Sequence, residues 1–220
     1  MSVLVYIYFF ILTVNILTGL YLFKELRLNF KVLVGFLIYT IINELVCWND
    51  PTNGKELTAY LYNIYFIVSI SFWSYFFCKS YQSTDLKNIS FFLSLLFLLF
   101  SLYIIATKGF NHIQNKVSVA MAVIFLIHSI NYFIDSIRHI NTLPILKDPL
   151  FYISTGMILW SVIYIFYSGP LYYFVTFYPK LSAITYILLN IVNLLNYLLL
   201  EVALLFYLKE SKDFIINRKL

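Results

Sequence analysis

The sequence predicts an all-α fold: an integral membrane bundle of seven transmembrane helices, N-terminus out and C-terminus in. Three observations predict it. Hydrophobic residues make up 62% of the 220 residues, charged residues only 11%, and the mean hydropathy is +0.86. A soluble domain is nearer half apolar and a quarter charged. The apolar residues gather in seven runs, each near the length of about 20 residues that a helix needs to cross a bilayer core. Finally, eleven of the 15 Lys and Arg fall on alternate connections, as expected for loops facing the cytoplasm.

The first run, Val3–Phe23, has no charge before Lys24. A secretory signal places its positive charge ahead of the apolar core and ends in a small-residue cleavage site. Here Lys24 and Arg27 follow the run and no such site is present, so it reads as a retained first helix. The second and third runs, Phe30–Trp48 and Thr58–Phe77, are separated by the turn sequence Asp50-Pro51-Thr52-Asn53-Gly54-Lys55. Ser80–Asn88 reads as a polar loop before the fourth run, Ile89–Ala106. Lys108-Gly109-Phe110-Asn111 breaks the chain before the fifth, Val117–Ile134. The longest gap is 14 residues and ends at Asp148-Pro149. Proline suits the first turn of the sixth run, Pro149–Tyr167, which Ser168-Gly169-Pro170 closes. The aromatic stretch Leu171–Tyr178 reads as interfacial. The seventh run, Leu181–Leu208, is longer than a bilayer core and must tilt or project into water. The domain reading is therefore a transmembrane unit over 1–208 and a short basic tail over 209–220.

Topology follows from the cations. With the N-terminus outside, the inner stations hold Lys24, Arg27, Lys31, Lys79, Lys87, Arg138, Lys147, Lys209, Lys212, Arg218 and Lys219. The outer stations hold only Lys55, Lys108, Lys116 and Lys180. The net charge of +5 thus reflects anionic lipid at the inner face and implies no nucleic-acid partner. Cys47 and Cys78 fall toward opposite faces, so no bond between them is expected.

Several chemistries are excluded. No connection is long enough for a soluble catalytic or nucleotide-binding domain. No Lys lies deep in the last run, where a retinal Schiff base would need one. Only His128 lies inside a run, whereas a membrane haem usually takes two histidines. No run contains Asp, which argues against a two-aspartate intramembrane protease. No paired-Glu metal motif, H-E-x-x-H motif, nucleophile elbow or P-loop is present. No cofactor, no metal and no enzymatic activity are expected.

What is left is a short list of polar residues inside the membrane, where ionisable groups are costly and often functional. His128 and Glu201 both fall roughly 9–11 Å below the inner boundary, at 1.5 Å per residue. A polar layer at that level would comprise Asn15, His128, Asn131, Ser154, Thr155, Asn196 and Glu201. It reads either as a proton-sensing His–carboxylate pair or as hydrogen-bonding glue between helices. Asn190, Asn193 and Glu201 share one face of the last run, with Asn196 further round, which suggests a polar stripe toward the bundle interior. An outer group, Asn43, Glu44, Trp48, Tyr60 and Asn63, reads as a pocket for a small polar or cationic ligand, or as side chains reaching the headgroups. The 22 Phe and 20 Tyr read mainly as lipid-facing and interfacial anchors.

The segment Asp148-Pro149-Leu150-Phe151-Tyr152-Ile153-Ser154-Thr155-Gly156, with Asn63 and the aromatic run through Trp73, resembles a set of small uncharacterised seven-helix membrane proteins of Bacteroidetes-type bacteria. Tyr152 stands where that set carries Trp. The resemblance implies residence in a bacterial inner membrane. Because some members accompany two-component signalling genes, it also implies a sensory role. The functional expectation is a signal-sensing or signalling-accessory subunit that passes a ligand or proton signal to a partner such as a histidine kinase. The alternative is a small-solute transporter or channel using the polar face of the seventh helix.

Overall fold

The computed structural model describes residues 3–49, 57–139 and 145–217, with side chains through Tyr207 except at 171–172. It is all-helical, with no strand among the described residues. The helices are α1 (Val3–Tyr21), α2 (Leu28–Trp48), α3 (Leu57–Ser80), α4 (Thr84–Lys108), α5 (Asn115–Arg138), α6 (Pro149–Ser168), α7 (Leu171–Phe177) and α8 (Pro179–Asn217). Seven of them, all but α7, are long and apolar enough to cross a membrane. The chain is a multi-pass membrane protein whose outer surface meets lipid. We call the end of the bundle at which α1 begins the upper end.

The helix ends follow from local chemistry. The Ser83 hydroxyl accepts the Leu86 N–H at the start of α4, and Asp85 sits in its first turn, where a carboxylate complements the helix dipole. The helix therefore begins five residues before Ile89, and most of the expected polar loop is its first turn. Gly109, with φ +80°, ends α4 in a conformation that favours glycine. Asp148 caps α6, accepting the Leu150 N–H at 2.9 Å, with Pro149 in the first turn. The aromatic stretch after α6 forms the seven-residue helix α7. At 39 residues, α8 is about 58 Å long, almost twice a bilayer core of about 30 Å, so it extends beyond the membrane. The turn over Asp50–Lys55 and the tail beyond Asn217 lie outside the described residues.

The fifth helix is longer than its apolar run. Helix α5 runs on to Arg138 and carries Asp135, which is buried. The apolar run ends at Ile134, but the helix does not. Asp135 accepts the backbone N–H groups of Gln82 (2.7 Å) and Ser83 (3.0 Å) and pairs with His139 at 3.2 Å. It ties the α3–α4 turn to α5.

The packing order is a closed ring. Helix α1 packs on α2, α2 on α3, α3 on α5, α5 on α6, α6 on α8, and α8 returns to α1. Helix α4 packs on α3 and α5 from outside the ring. Its serines Ser90, Ser94 and Ser101 are buried, while Phe91, Phe92, Leu99 and Tyr103 are exposed. Small residues on the protein face let backbones approach closely, and large apolar ones meet lipid. The same rule acts at Gly156, where a Cβ would stand 2.5 Å from Asn196 Oδ1 and 3.3 Å from its Cα. That is a close approach of α6 and α8. The lower half of the ring is filled. Leu33, Phe76, Phe77, Ile153 and Leu204 are fully buried, and the Phe30 ring packs on Phe76 (5.5 Å) and Tyr207 (4.9 Å).

Candidate ligand cavity

The upper half of the ring is hollow. A cavity of about 630 Å³ is lined by α1, α2, α3, α5, α6 and α8, and α4 contributes nothing to it. Its wall runs from Trp48, Thr58, Asn115 and Ser168 near the upper end down to Trp73, Met157 and Leu200. Below those residues lies the filled core. Among the described residues the wall reaches the upper end of the ring and stops at the filled core, so the cavity is blind at its lower end.

Among the described residues, Glu44 is the one ionisable acid or base in this wall apart from Tyr and Cys side chains. Its Oε2 accepts the Tyr62 hydroxyl at 3.1 Å. Tyr8, Tyr65 and Tyr197 lie within electrostatic range of the same carboxylate, and the Tyr8 and Tyr197 rings meet edge to face at 5.4 Å. All three tryptophans of the chain, Trp48, Trp73 and Trp160, line the cavity. Tyrosine and tryptophan are thus concentrated inside the ring as well as at the membrane interfaces. Composition counts aromatics but does not say which way they face.

The α8 side of the wall is polar. Asn190, Asn193 and Asn196 all line the cavity, across an arc of about 120° at 100° per residue. Glu201 lies past one edge of that arc and turns to α1, where its Oε1 accepts the Thr18 hydroxyl at 2.7 Å. One turn higher, the Asn15 amide donates to Tyr197 O at 3.1 Å and to Ile11 O at 2.9 Å. Asn15, Thr18 and Glu201 thus form an α1–α8 junction outside the cavity wall.

His128 belongs to a different junction. It is fully buried, with its ring stacked on Phe77 (centroids 5.5 Å apart, 5° between planes). Nδ1 faces the Tyr81 hydroxyl at 3.2 Å, and that hydroxyl donates to His128 O at 2.8 Å. Nε2 faces Ser94 Oγ at 3.1 Å and Ser74 Oγ at 3.2 Å, while Ser94 donates to Ser90 O at 2.6 Å. Each hydroxyl has one proton to give. Tyr81 and Ser94 give those protons to backbone carbonyls, so both oxygens face the ring as acceptors, and the donor and acceptor roles of Nδ1 and Nε2 depend on the tautomer. Desolvation pushes the Tyr81 phenol above its ordinary range, so it remains a donor. Asn131 donates to Ser90 Oγ at 3.1 Å beside this group.

The expected single polar layer is therefore two separate junctions, and no hydrogen bond or ion pair joins His128 to Glu201 among the described residues. Matched depth placed them together; ring order separates them. Ser154 is buried with no hydrogen-bond partner among the described residues, and Thr155 bonds its own helix at Phe151 O. A second cavity of about 510 Å³ lies between α3 and α4, beside Ser74, Ser94, Lys79 and Lys87.

The expected outer pocket divides as well. Glu44 and Trp48 line the cavity. Asn43 is buried in the packing and Tyr60 is exposed, its ring on Phe110 at 4.9 Å. Asn63 clamps the α4–α5 connection: its amide donates to Phe110 O (3.2 Å) and His112 O (2.9 Å), and its Oδ1 accepts the Gln114 N–H at 3.0 Å. Asn63→Ala should leave those three backbone groups without this partner. It should cost about 1–3 kcal/mol and speed hydrogen exchange at the Gln114 amide. An unchanged exchange rate would contradict the clamp.

No pattern in the sequence marks Thr18, Tyr62, Ser74, Tyr81, Ser94 or Asp135. Serine and tyrosine are too common in this chain to stand out, and only packing brings them to one place. Comparison with protein-family models, curated proteins and solved structures finds no match to this chain. The fold and wall define its class: an all-α membrane protein with seven spanning helices, six of which form a ring around an aromatic cavity.

Proposed function

We propose that the protein is a signal-sensing or signalling-accessory subunit of a bacterial inner membrane. A small molecule enters the central cavity, and the resulting shift in helix packing passes to a partner such as a histidine kinase. The observation that carries this reading is the blind cavity. A binding site with one opening and a packed floor suits capture and release at one face; a channel needs a path through. With the N-terminus outside, as the Lys and Arg distribution favours, that opening faces the exterior. The floor, built from Phe30, Phe76 and Tyr207, then connects the cavity to the cytoplasmic end. A ligand that binds one packing of the ring better than another shifts the population between them. The resemblance to the Bacteroidetes set points the same way.

The test is to isolate the tagged protein from its native membrane in mild detergent and identify what accompanies it. A histidine kinase or another signalling protein at near-equal amount is the expected result. The protein alone, together with solute uptake in proteoliposomes that Glu44→Gln abolishes, would overturn it. That outcome would favour a transporter, a reading for which the Asn190–Asn193–Asn196 wall is the supporting observation.

A further inference from the structure

We infer that the central cavity takes an organic cation with an apolar or aromatic body, its positive charge held at the Glu44 carboxylate among the surrounding tyrosines. The inference rests on the reading of the cavity as a ligand site and adds the ligand's chemistry to it.

Three features of the wall carry it. The first is charge. Glu44 is the one acidic or basic side chain of the wall among the described residues, and no Lys, Arg or His lines it. In a wall of low dielectric, one carboxylate attracts a cation and repels an anion far more strongly than in water. The second is the aromatic surround. Tyr62 holds the carboxylate by its hydroxyl at 3.1 Å, and Tyr8, Tyr65 and Tyr197 lie within electrostatic range of it. Aromatic faces are negative, and rings around a site are how proteins hold quaternary ammonium groups. The third is size and polarity. A cavity of about 630 Å³ is in the range that encloses drug-sized molecules, and Leu37, Phe66, Met157 and Leu200 give it apolar surface. A small, fully hydrated metal ion would leave that surface wet. A cation with a hydrophobic body covers it.

The full chain in lipid nanodiscs supplies its own readout, because every tryptophan lines the cavity. Tryptophan emission would be titrated with benzyltrimethylammonium and, separately, with neopentylbenzene, which replaces the charged nitrogen by carbon at nearly the same shape. A saturable response is expected, with the cation binding at least about ten-fold tighter, the size of a partly desolvated cation–π and charge contribution. Glu44→Gln should bring the two probes to within about two-fold of each other, while Tyr62→Phe, which keeps the ring and the carboxylate, should retain the preference. The wild-type comparison stands without any variant. Equal binding of both probes, or a preference that survives Glu44→Gln, would overturn the cation assignment and leave the cavity reading intact. No response to either probe, with the Cys47 thiol of the wall still reacting with a water-soluble thiol reagent, would also overturn the cation assignment alone. No response and an unreactive Cys47 would remove both.

Discussion

Gly156→Leu should open the ring. Helices α6 and α8 form its broadest contact, and at Gly156 the Asn196 backbone lies 3.3 Å from where a Cβ would stand. A rotamer change could swing Asn196 Oδ1 aside but cannot move its Cα. A leucine there must push α8 outward. Overpacking of this kind costs about 1–3 kcal/mol and sometimes more. Asn196 is also part of the cavity wall, so the same displacement should change the cavity's shape. The expected result is a lower thermal unfolding midpoint in detergent together with altered tryptophan emission, since Trp160 lies one helical turn from Gly156 on α6. Gly156→Ala should show the same change to a smaller degree. A Gly156→Leu protein with wild-type stability and emission would mean that α6 and α8 do not meet there.

His128→Ala should be the most destabilising single truncation in the α3–α4–α5 junction. It removes a fully buried ring stacked on Phe77 and takes away the groups facing Tyr81, Ser74 and Ser94. Truncating a large buried side chain to Ala costs about 2–5 kcal/mol and an unsatisfied buried hydroxyl about 1–3 kcal/mol, and interhelical hydrogen bonds in membranes sit at the lower end. A loss of about 3 kcal/mol is expected by denaturation in mixed micelles. Binding in the central cavity should survive in the fraction that remains folded, because His128 does not line it. A stable His128→Ala protein that had lost ligand response would favour a proton-sensing role for this residue over a structural one. His128→Asn, which can still give and accept hydrogen bonds, should recover part of the lost stability.

The sequence and the structure agree where physics acts along the chain. Seven apolar runs, Pro149 after Asp148 and the glycine at 109 all act locally, and the helices begin or end beside them. They disagree where partners come from elsewhere. Asp135 lies one residue beyond its apolar run, so hydropathy leaves it out, yet its helix continues because the α3–α4 turn supplies two N–H groups to its carboxylate. His128 and Glu201 share a depth, but depth carries no information about which helices are neighbours. The asparagines of α8 point inward as their spacing suggests. Their arc includes Asn196 and excludes Glu201 because α6 and α1, on the two flanks, decide where the wall ends. Asn63 and Glu44 were legible as unusual polar residues near one end of the bundle. Only the ring order shows that one clamps a loop and the other faces a cavity.

The central claim is a water-accessible cavity that is closed below Leu200. Cysteine substitution along α8, in a background with Cys47 and Cys78 replaced by serine, tests it most directly. A charged, water-soluble thiol reagent should modify Asn190→Cys and Asn193→Cys and leave Leu204→Cys untouched, since Leu204 is fully buried in the packed floor one turn below Leu200. Benzyltrimethylammonium should slow the reaction at Asn193→Cys. Silence at Asn190 and Asn193, or reaction continuing down to Leu204, would contradict a blind cavity inside the ring.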